Sequence, residues 1–217
     1  MPSVLSVNTA AELTDLSGLR TGIDKRPSTD PLAVRAPGPR KGGLGSGLVG
    51  DSIGNDRHHG GDDQAVYAYA REDLDGWQAQ LERPLTNGMF GENLTTTGVD
   101  LTACLVGERW AVGSDGLVLE VTSPRTPCKT FATWLDIPRW IKTFTAAGLP
   151  GAYFRVISPG AVRTGDAIDV IDRPDHTVTI GTVFRALMLE PDLLPSLAVA
   201  DALPEKIKKQ ITRRAGG

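Results

Sequence analysis

The chain has 217 residues, of which 40% are hydrophobic and 23% are charged, a composition typical of a globular protein. Its net charge of −3 argues against wholesale binding to a nucleic acid backbone, because proteins that bind nucleic acid in that way carry a basic surface. Two cysteines cannot form a disulfide framework, and neither a membrane span nor a signal peptide is recognisable, so we expect a cytoplasmic protein without a membrane role.

Eight short segments rich in strand-forming residues make up the framework that the sequence predicts. Gly, Asp and Pro concentrate in the turns between them, and no long helices alternate with the strands. We therefore expect a mainly β protein, a barrel or a sandwich, rather than a doubly wound sheet. The predicted strands are Val4–Val7, Leu32–Arg35, Leu48–Ser52, Ala65–Tyr69, Trp110–Val112, Leu117–Val121, Tyr153–Ile157 and Ala167–Ile171.

Helical patterns are few. Apolar residues recur at helical spacing over Arg71–Arg83, and a broken helix is predicted over Phe131–Asp136 and Pro138–Ala147. From Phe184 the chain becomes rich in leucine, and Pro204 suits the first turn of a basic, amphipathic terminal helix. We expect this tail to pack on the barrel with its basic face in solvent; docking to an acidic reductase, or a homodimer contact, is the alternative.

Cys128 is the first candidate for a chemically active residue. It lies in Thr122–Lys129, between two prolines that stiffen the loop and between the cations Arg125 and Lys129. Nearby positive charge favours the thiolate, the form that attacks electrophiles and binds soft metals. Cys104 has apolar neighbours instead, so we expect a buried and inert thiol there.

Two histidines and two glycines, His58-His59-Gly60-Gly61, precede the predicted strand that begins at Ala65. Glycines let backbone N–H groups approach a ligand closely, and imidazoles can bind it or carry a proton. The alternative is a polar hairpin loop in which a histidine caps a strand end. A zinc site is less expected, because adjacent histidines diverge and no set of four ligands has a familiar spacing.

Two further short motifs carry polar groups that could recognise a ligand. Asn93, within Phe90–Thr95, offers a donor and an acceptor suited to the edge of a heterocycle; the alternative is a turn with an Asx-type bond. Lys25 and Arg26 together suit a phosphate or a carboxylate, although adjacent cations also occur on solvated surfaces.

Taken in order, these motifs resemble those of MOSC domain proteins, a family named after the molybdenum cofactor sulfurase C-terminal domain. The similarity covers roughly residues 2 to 200 and is greatest to stand-alone bacterial members with a short helical tail. One departure is Asp62, where the family usually has proline. The motifs are Gly22–Pro27, His58–Tyr67, Phe90–Thr95, Ser123–Cys128, Gly151–Val156 and Gly165–Asp166.

The resemblance implies a mostly antiparallel β-barrel with a few peripheral helices, divided into a MOSC domain at 1–182 and a C-terminal helical extension at 183–217. It also implies a pocket for a pyranopterin molybdenum cofactor, in which Cys128 ligates molybdenum or carries sulfur as a persulfide. His58 or His59 would deliver a proton there. By motif and chemistry we assign cofactor binding to Lys25, Arg26, Arg125 and Lys129 for its phosphate, and to Gly60, Gly61, Gln64 and Asn93 for its pterin.

We therefore predict an oxidoreductase that reduces N-hydroxylated compounds such as hydroxylaminopurines or amidoximes, a chemistry implied by the resemblance. Nothing in the sequence looks able to bind a flavin, a haem or an iron–sulfur cluster, so electrons would come from a separate reductase. The alternative is a sulfur carrier or cofactor-delivery module, in which Cys128 takes persulfide from a sulfur donor. A third reading is a protein that binds the cofactor, or another anionic heterocycle, for sensing or storage.

Overall fold

The computed structural model describes residues 1–54 and 59–215 and has about equal numbers of residues in helices and in strands. A sheet-based core is confirmed, whereas a mainly β composition is not. The described strands are β1 (Ser3–Thr9), β2 (Thr14–Leu16), β3 (Leu19–Thr21), β4 (Arg26–Pro27), β5 (Leu32–Val34), β6 (Val66–Ala70), β7 (Leu94–Thr97), β8 (Arg109–Val112), β9 (Leu117–Pro124), β10 (Ala152–Ser158), β11 (Gly160–Val162) and β12 (Ile168–Asp172).

Five α-helices lie within the described ranges, and none of them is long and apolar enough to cross a membrane. Two 3-10 helices, Asp62–Gln64 and Pro191–Val199, add short turns near the site and in the tail. The α-helices are α1 (Arg71–Leu81), α2 (Lys129–Leu135), α3 (Trp140–Ala147), α4 (Ile180–Met188) and α5 (Glu205–Ala215).

Eight strands form one mixed sheet in the order β12-β8-β9-β10-β6-β7-β1-β4. Among the described strands the β6–β7 pair alone is parallel, and α1 provides part of the crossover that a parallel connection requires. One bridge, Ser3 to Ala167, ties the start of β1 to the turn before β12, and the Val4 N–H donates to the Asp166 carbonyl at 2.8 Å. No continuous ladder joins the two ends of the sheet in the described ranges, so the expected closed antiparallel barrel is not found.

One predicted strand was wrong. The segment Leu48–Ser52 is not a strand: Leu48 alone makes a bridge, to Val34, and the chain then turns so that the Asp51 side chain is buried. Helix α4 begins at Ile180, three residues before the proposed boundary at 183. Its first turn is capped by the Thr179 hydroxyl, which accepts a hydrogen bond from the Thr182 N–H at 3.1 Å.

Two apolar clusters hold the fold together. The larger lies on the sheet and includes Leu197, Ile207 and Ile211, so the tail packs on the sheet as its amphipathic pattern predicted. The smaller is aromatic, and Cys128 and Tyr153 pack against it; the proposed division at 182/183 stays a prediction. The buried aromatic residues of this cluster are Tyr67, Tyr69, Trp77, Phe90, Phe131, Trp140, Phe144 and Phe184.

Candidate functional site

Cys128 follows the end of strand β9 and packs against the aromatic cluster. Strand β9 ends at Pro124, and after a short loop Cys128 becomes the N-terminal cap of α2, with an extended backbone (φ −129°, ψ 169°). This position leaves the side chain partly accessible, while Phe131 and Leu135 of α2 are buried behind it. The sequence thus places a thiol at the mouth of a pocket, on a loop whose ends are fixed by a strand and by a helix.

The Cys128 thiol has a pKa of about 6. Burial alone would raise that pKa, but the polar interaction with nearby His59 and the positive charge of Arg125 outweigh it. The Phe131 N–H also faces the sulfur and lowers its pKa, although the geometry falls short of a full capping hydrogen bond. At neutral pH the sulfur is therefore mostly thiolate, a nucleophile and a soft ligand.

Arg125 is a buried cation, only 7% exposed, with no carboxylate partner among the described residues. Its guanidinium lies 3.6 Å from the centroid of the Phe131 ring and 5.4 Å from that of Tyr67. Its Nη1 donates to the Phe90 carbonyl at 2.7 Å. A guanidinium held in this way, beside the Cys128 sulfur and without a carboxylate partner in the described structure, is suited to binding an anion.

Lys25 and Asn93 belong to the same site but already have partners. The Lys25 Nζ donates to both carboxylate oxygens of Asp51, at 2.5 and 2.7 Å, and the Asn93 Nδ2 donates to Asp51 at 2.9 Å. The Asn93 Oδ1 accepts from the Tyr67 N–H at 3.2 Å. The charge of Lys25 is thus balanced within the protein, and its assignment to a cofactor phosphate stays a prediction.

These side chains surround an inner pocket of about 90 Å³, bounded by Lys25, Asp51, Asn93, Arg125 and Cys128. An outer groove of about 570 Å³ adjoins it; one side is the segment from Ser123 to Thr130 and the other is the C-terminal tail. The two cavities share a border at Cys128. Residues that line both are His59, Gln64, Arg125, Cys128, Thr130 and Tyr153.

The structure brings seven of the predicted site residues to the inner pocket: Lys25, His59, Gly60, Gln64, Asn93, Arg125 and Cys128. Lys129 is exposed and lines the outer groove instead, and it is not among the groups that lower the pKa of Cys128.

Two of the described residues that were predicted for the site, Arg26 and Gly61, line neither cavity. Arg26 has a side chain that is 68% exposed and pairs with Asp24 at 2.7 Å. Gly61 packs closely against the Arg40 backbone, outside the inner pocket. His58 lies outside the described residues.

Sequence reasoning missed Asp51, Tyr67 and Tyr153 as lining residues. A buried lysine needs an acidic partner, which for Lys25 is Asp51. The sequence signal for this partner was the short Gly-rich segment Gly50-Asp51-Ser52-Ile53-Gly54. Burial raises the pKa of both tyrosines, so they stay neutral, and Tyr67 donates its hydroxyl to the Pro150 carbonyl at 2.9 Å. The Gln64 Oε1 atom is buried without a hydrogen-bond partner in the described structure, an acceptor free for a ligand.

The chain is similar to a known protein family and to several individual proteins. Residues 55–169 match the MOSC domain family. The chain is 30% identical over 181 residues to "Uncharacterized protein YflK" of Bacillus subtilis, which covers 82% of this chain and 77% of that protein. It is 29% identical over 208 residues to a protein of Gibberella moniliformis named "Reductase", covering 84% of this chain but 37% of that protein. It is also 30% identical over 135 residues to "Protein YiiM" of Escherichia coli, covering 58% of this chain and 57% of that protein.

Solved structures share the fold. The crystal structure of YiiM from Geobacillus stearothermophilus superposes with a TM-score of 0.79 at 24% identity and covers 99% of each chain. That of YiiM from Escherichia coli gives a TM-score of 0.75 at 21% identity, covering 100% of this chain and 94% of the other. Because the family match covers more than half of this chain, the chain belongs to the MOSC domain family.

Proposed function

We propose that this protein uses a pyranopterin molybdenum cofactor to reduce N-hydroxylated compounds, with electrons from a separate reductase. The pairing of Cys128 with Arg125 carries this proposal. A cysteine with a pKa of about 6 offers a soft thiolate, and the buried guanidinium beside it, without a carboxylate partner in the described structure, offers an anion site. Together they suit a soft metal within an anionic cofactor.

The donor set fits such a group. No cluster of three or more His, Cys, Asp and Glu side chains in the described parts of the chain could hold a metal by itself, so the metal would arrive within a cofactor. Cys128 would be its protein ligand. Arg125 would bind an anionic part of the cofactor, and the unpartnered Gln64 Oε1 would accept from the pterin. The inner pocket of about 90 Å³ admits only one end, so the remainder would extend along the border that the two cavities share at His59, Thr130 and Tyr153 and would leave the tail side of the outer groove open.

When bound, molybdenum would supply the two-electron redox step. In the overall reaction the N–O bond breaks, two electrons and two protons are taken up, and the reduced nitrogen compound and water leave. His59 lowers the pKa of Cys128 and lines both cavities, so it is placed to deliver a proton to the departing oxygen. Arg125 would stabilise negative charge that develops at the same place. The fungal relative named "Reductase" is consistent with this chemistry.

The test is to express the protein in a host that makes the cofactor and to measure molybdenum and pterin per chain. We expect both in the wild type and in Cys104→Ala, and their loss in Cys128→Ala. Cys104 is the matched control because burial raises its pKa and it lies away from both cavities. Turnover of a hydroxylaminopurine and an amidoxime is then followed with reduced viologen as the electron donor. A folded wild type without metal and pterin would contradict the proposal.

A second candidate, a sulfur carrier, is favoured by the same low pKa and by the partial exposure of the Cys128 thiol. Its thiolate would attack the terminal sulfur of a persulfide on the donor, which would leave as a thiolate while Cys128 becomes the persulfide. Mass spectrometry after incubation with a cysteine desulfurase distinguishes the two functions. One added sulfur on Cys128 without reductase turnover would favour the carrier.

A further inference from the structure

The C-terminal tail forms one wall of the outer groove. Met188 comes from the end of α4, and Lys206, Ile207 and Gln210 come from α5. Because Ile207 and Ile211 are buried in the main apolar cluster, α5 is held on the sheet. Lys206 and Gln210 lie four residues apart on one face of α5, and both line the groove.

The segment just before α5 is also fixed by a polar contact. Arg155 of β10 donates to the Ala202 carbonyl at 3.4 Å and pairs with Asp63 at 2.5 Å. Asp63 lies in the 3-10 helix that also carries Gln64, one of the residues shared by the two cavities. The tail wall is therefore tied to the same turn that lines the inner pocket, although the sequence separates them by about 140 residues.

Besides Arg125, three cations line the groove: Arg40, Lys129 and Lys206. In the described parts of the chain none of them forms an ion pair, although Arg40 donates to the Gly60 carbonyl at 3.2 Å. Asp63 is the acid among the lining residues, and its charge is already balanced by Arg155. A chain with a net charge of −3 thus concentrates unbalanced positive charge along one groove, which favours an anionic ligand.

The same groove has an apolar part, formed by Leu187, Met188, Pro204 and Ile207, with the Tyr153 ring near Cys128. Apolar and aromatic side chains suit a flat ring, whereas the cations suit an anion attached to it. The volume of about 570 Å³ is within the range that small-molecule sites occupy.

We propose that the outer groove binds a phosphate monoester carried by the substrate, with Lys206, Arg40 and Lys129 as the phosphate-binding side chains. The inference rests on the proposed function and narrows its substrate: an N-hydroxylated heterocycle in nucleotide form, rather than the free base. The C-terminal helix thereby becomes part of the substrate site.

Binding to the holoprotein is tested with adenosine 5′-monophosphate and adenosine, which differ only in the phosphate. We expect the monophosphate to bind the wild type roughly tenfold more tightly than adenosine, as two or three partly exposed charge contacts allow. In Lys206→Gln the ratio of the two affinities should fall about fivefold. Lys209→Gln is the matched control, since Lys209 is exposed on the same helix but does not line the groove.

Equal binding of the two compounds by the wild type would overturn the proposal. A loss of molybdenum and pterin in Lys206→Gln would also overturn it, because the cations of the groove would then bind the phosphate of the cofactor and not that of the substrate. If the wild type holds no cofactor and still prefers the monophosphate in a Lys206-dependent way, the phosphate site stands and the reductase proposal fails. The binding measurement does not depend on turnover, so the two failures remain distinguishable.

Discussion

The guanidinium of Arg125 lies 3.6 Å from the centroid of the Phe131 ring, and this contact fixes a positive charge beside Cys128. Phe131 is itself fully buried, with Phe90 and Trp140 at ring distances of 5.0 and 5.5 Å. A buried cation without an acid partner is costly, and the face of an aromatic ring offsets part of that cost. The aromatic cluster therefore sets the electrostatics of the thiol.

Replacing Arg125 by Met should raise the pKa of Cys128 by at least about one unit, since an opposite charge at this range typically contributes that much. The rate of alkylation by iodoacetamide, measured against pH, should have its midpoint at about 6 in the wild type and clearly higher in the variant. Lys129→Met should leave the midpoint unchanged, because Lys129 is not among the groups that lower this pKa. Equal shifts in the two variants would refute the assignment to Arg125.

The buried pair of Lys25 and Asp51 should behave as a unit in stability measurements. Their side chains are 7% and 1% exposed, so Asp51→Asn leaves an unpaired buried ammonium and should cost about 3 kcal/mol in the free energy of unfolding. Lys25→Met should also destabilise the protein. Because both charges are then absent, the double variant should be more stable than the sum of the single effects by at least about 1 kcal/mol, measured by urea denaturation. Strict additivity would contradict the coupling.

Much of the candidate site could be located from the sequence. Asn93, Cys128 and the pair of His59 and Gln64 are far apart in the chain, yet all of them line one pocket. Arg26 shows where motif reasoning failed. Successive residues of an extended chain face opposite sides, so Lys25 lies inside while its neighbour pairs with a surface acid.

The remaining differences come from tertiary contacts that no local pattern encodes. The parallel pairing of β6 with β7 depends on how α1 packs across the sheet, and the burial of Asp51 depends on Lys25. Helix α4 begins in a segment rich in Thr, Val and Ile, which locally favours a strand. There Gly181 lies so close to Thr102 that a Cβ would come within 2.8 Å of its methyl group.

Asp73 in the first turn of α1 should make stability depend on pH. Burial, followed by the nearby Asp100 and Glu72, raises its pKa to about 6, so the folded state binds a proton more tightly than the unfolded chain does. Stability should therefore fall as pH rises from about 4 through 6. At pH 7, Asp73→Asn should stabilise the protein by about 1 kcal/mol, because partial exposure and the lost interaction with the helix N-terminus limit the gain.

At pH 4 the same substitution should have almost no effect, since the carboxyl group is then protonated in the folded protein. Urea denaturation at the two pH values measures the difference. Asp169→Asn serves as the control, because Asp169 is exposed on β12 and its replacement should change stability by less than about 0.5 kcal/mol at either pH. An Asp73→Asn variant that is equally stabilised at pH 4 and pH 7 would rule out the titration.

A substitution at Leu197 tests whether the predicted extension at 183–217 unfolds separately from the sheet. It lies in the 3-10 helix Pro191–Val199, is fully buried, and shares one apolar cluster with the strands. Leu197→Ala should therefore cost about 2–5 kcal/mol and shift a single cooperative unfolding transition, followed by circular dichroism and tryptophan fluorescence together. Leu189→Ala, at a position that is 50% exposed in the same tail, should cost less than about 0.5 kcal/mol. An early, separate transition in Leu197→Ala alone would mean that the tail unfolds as an independent unit, and the groove wall would then be lost before the inner pocket.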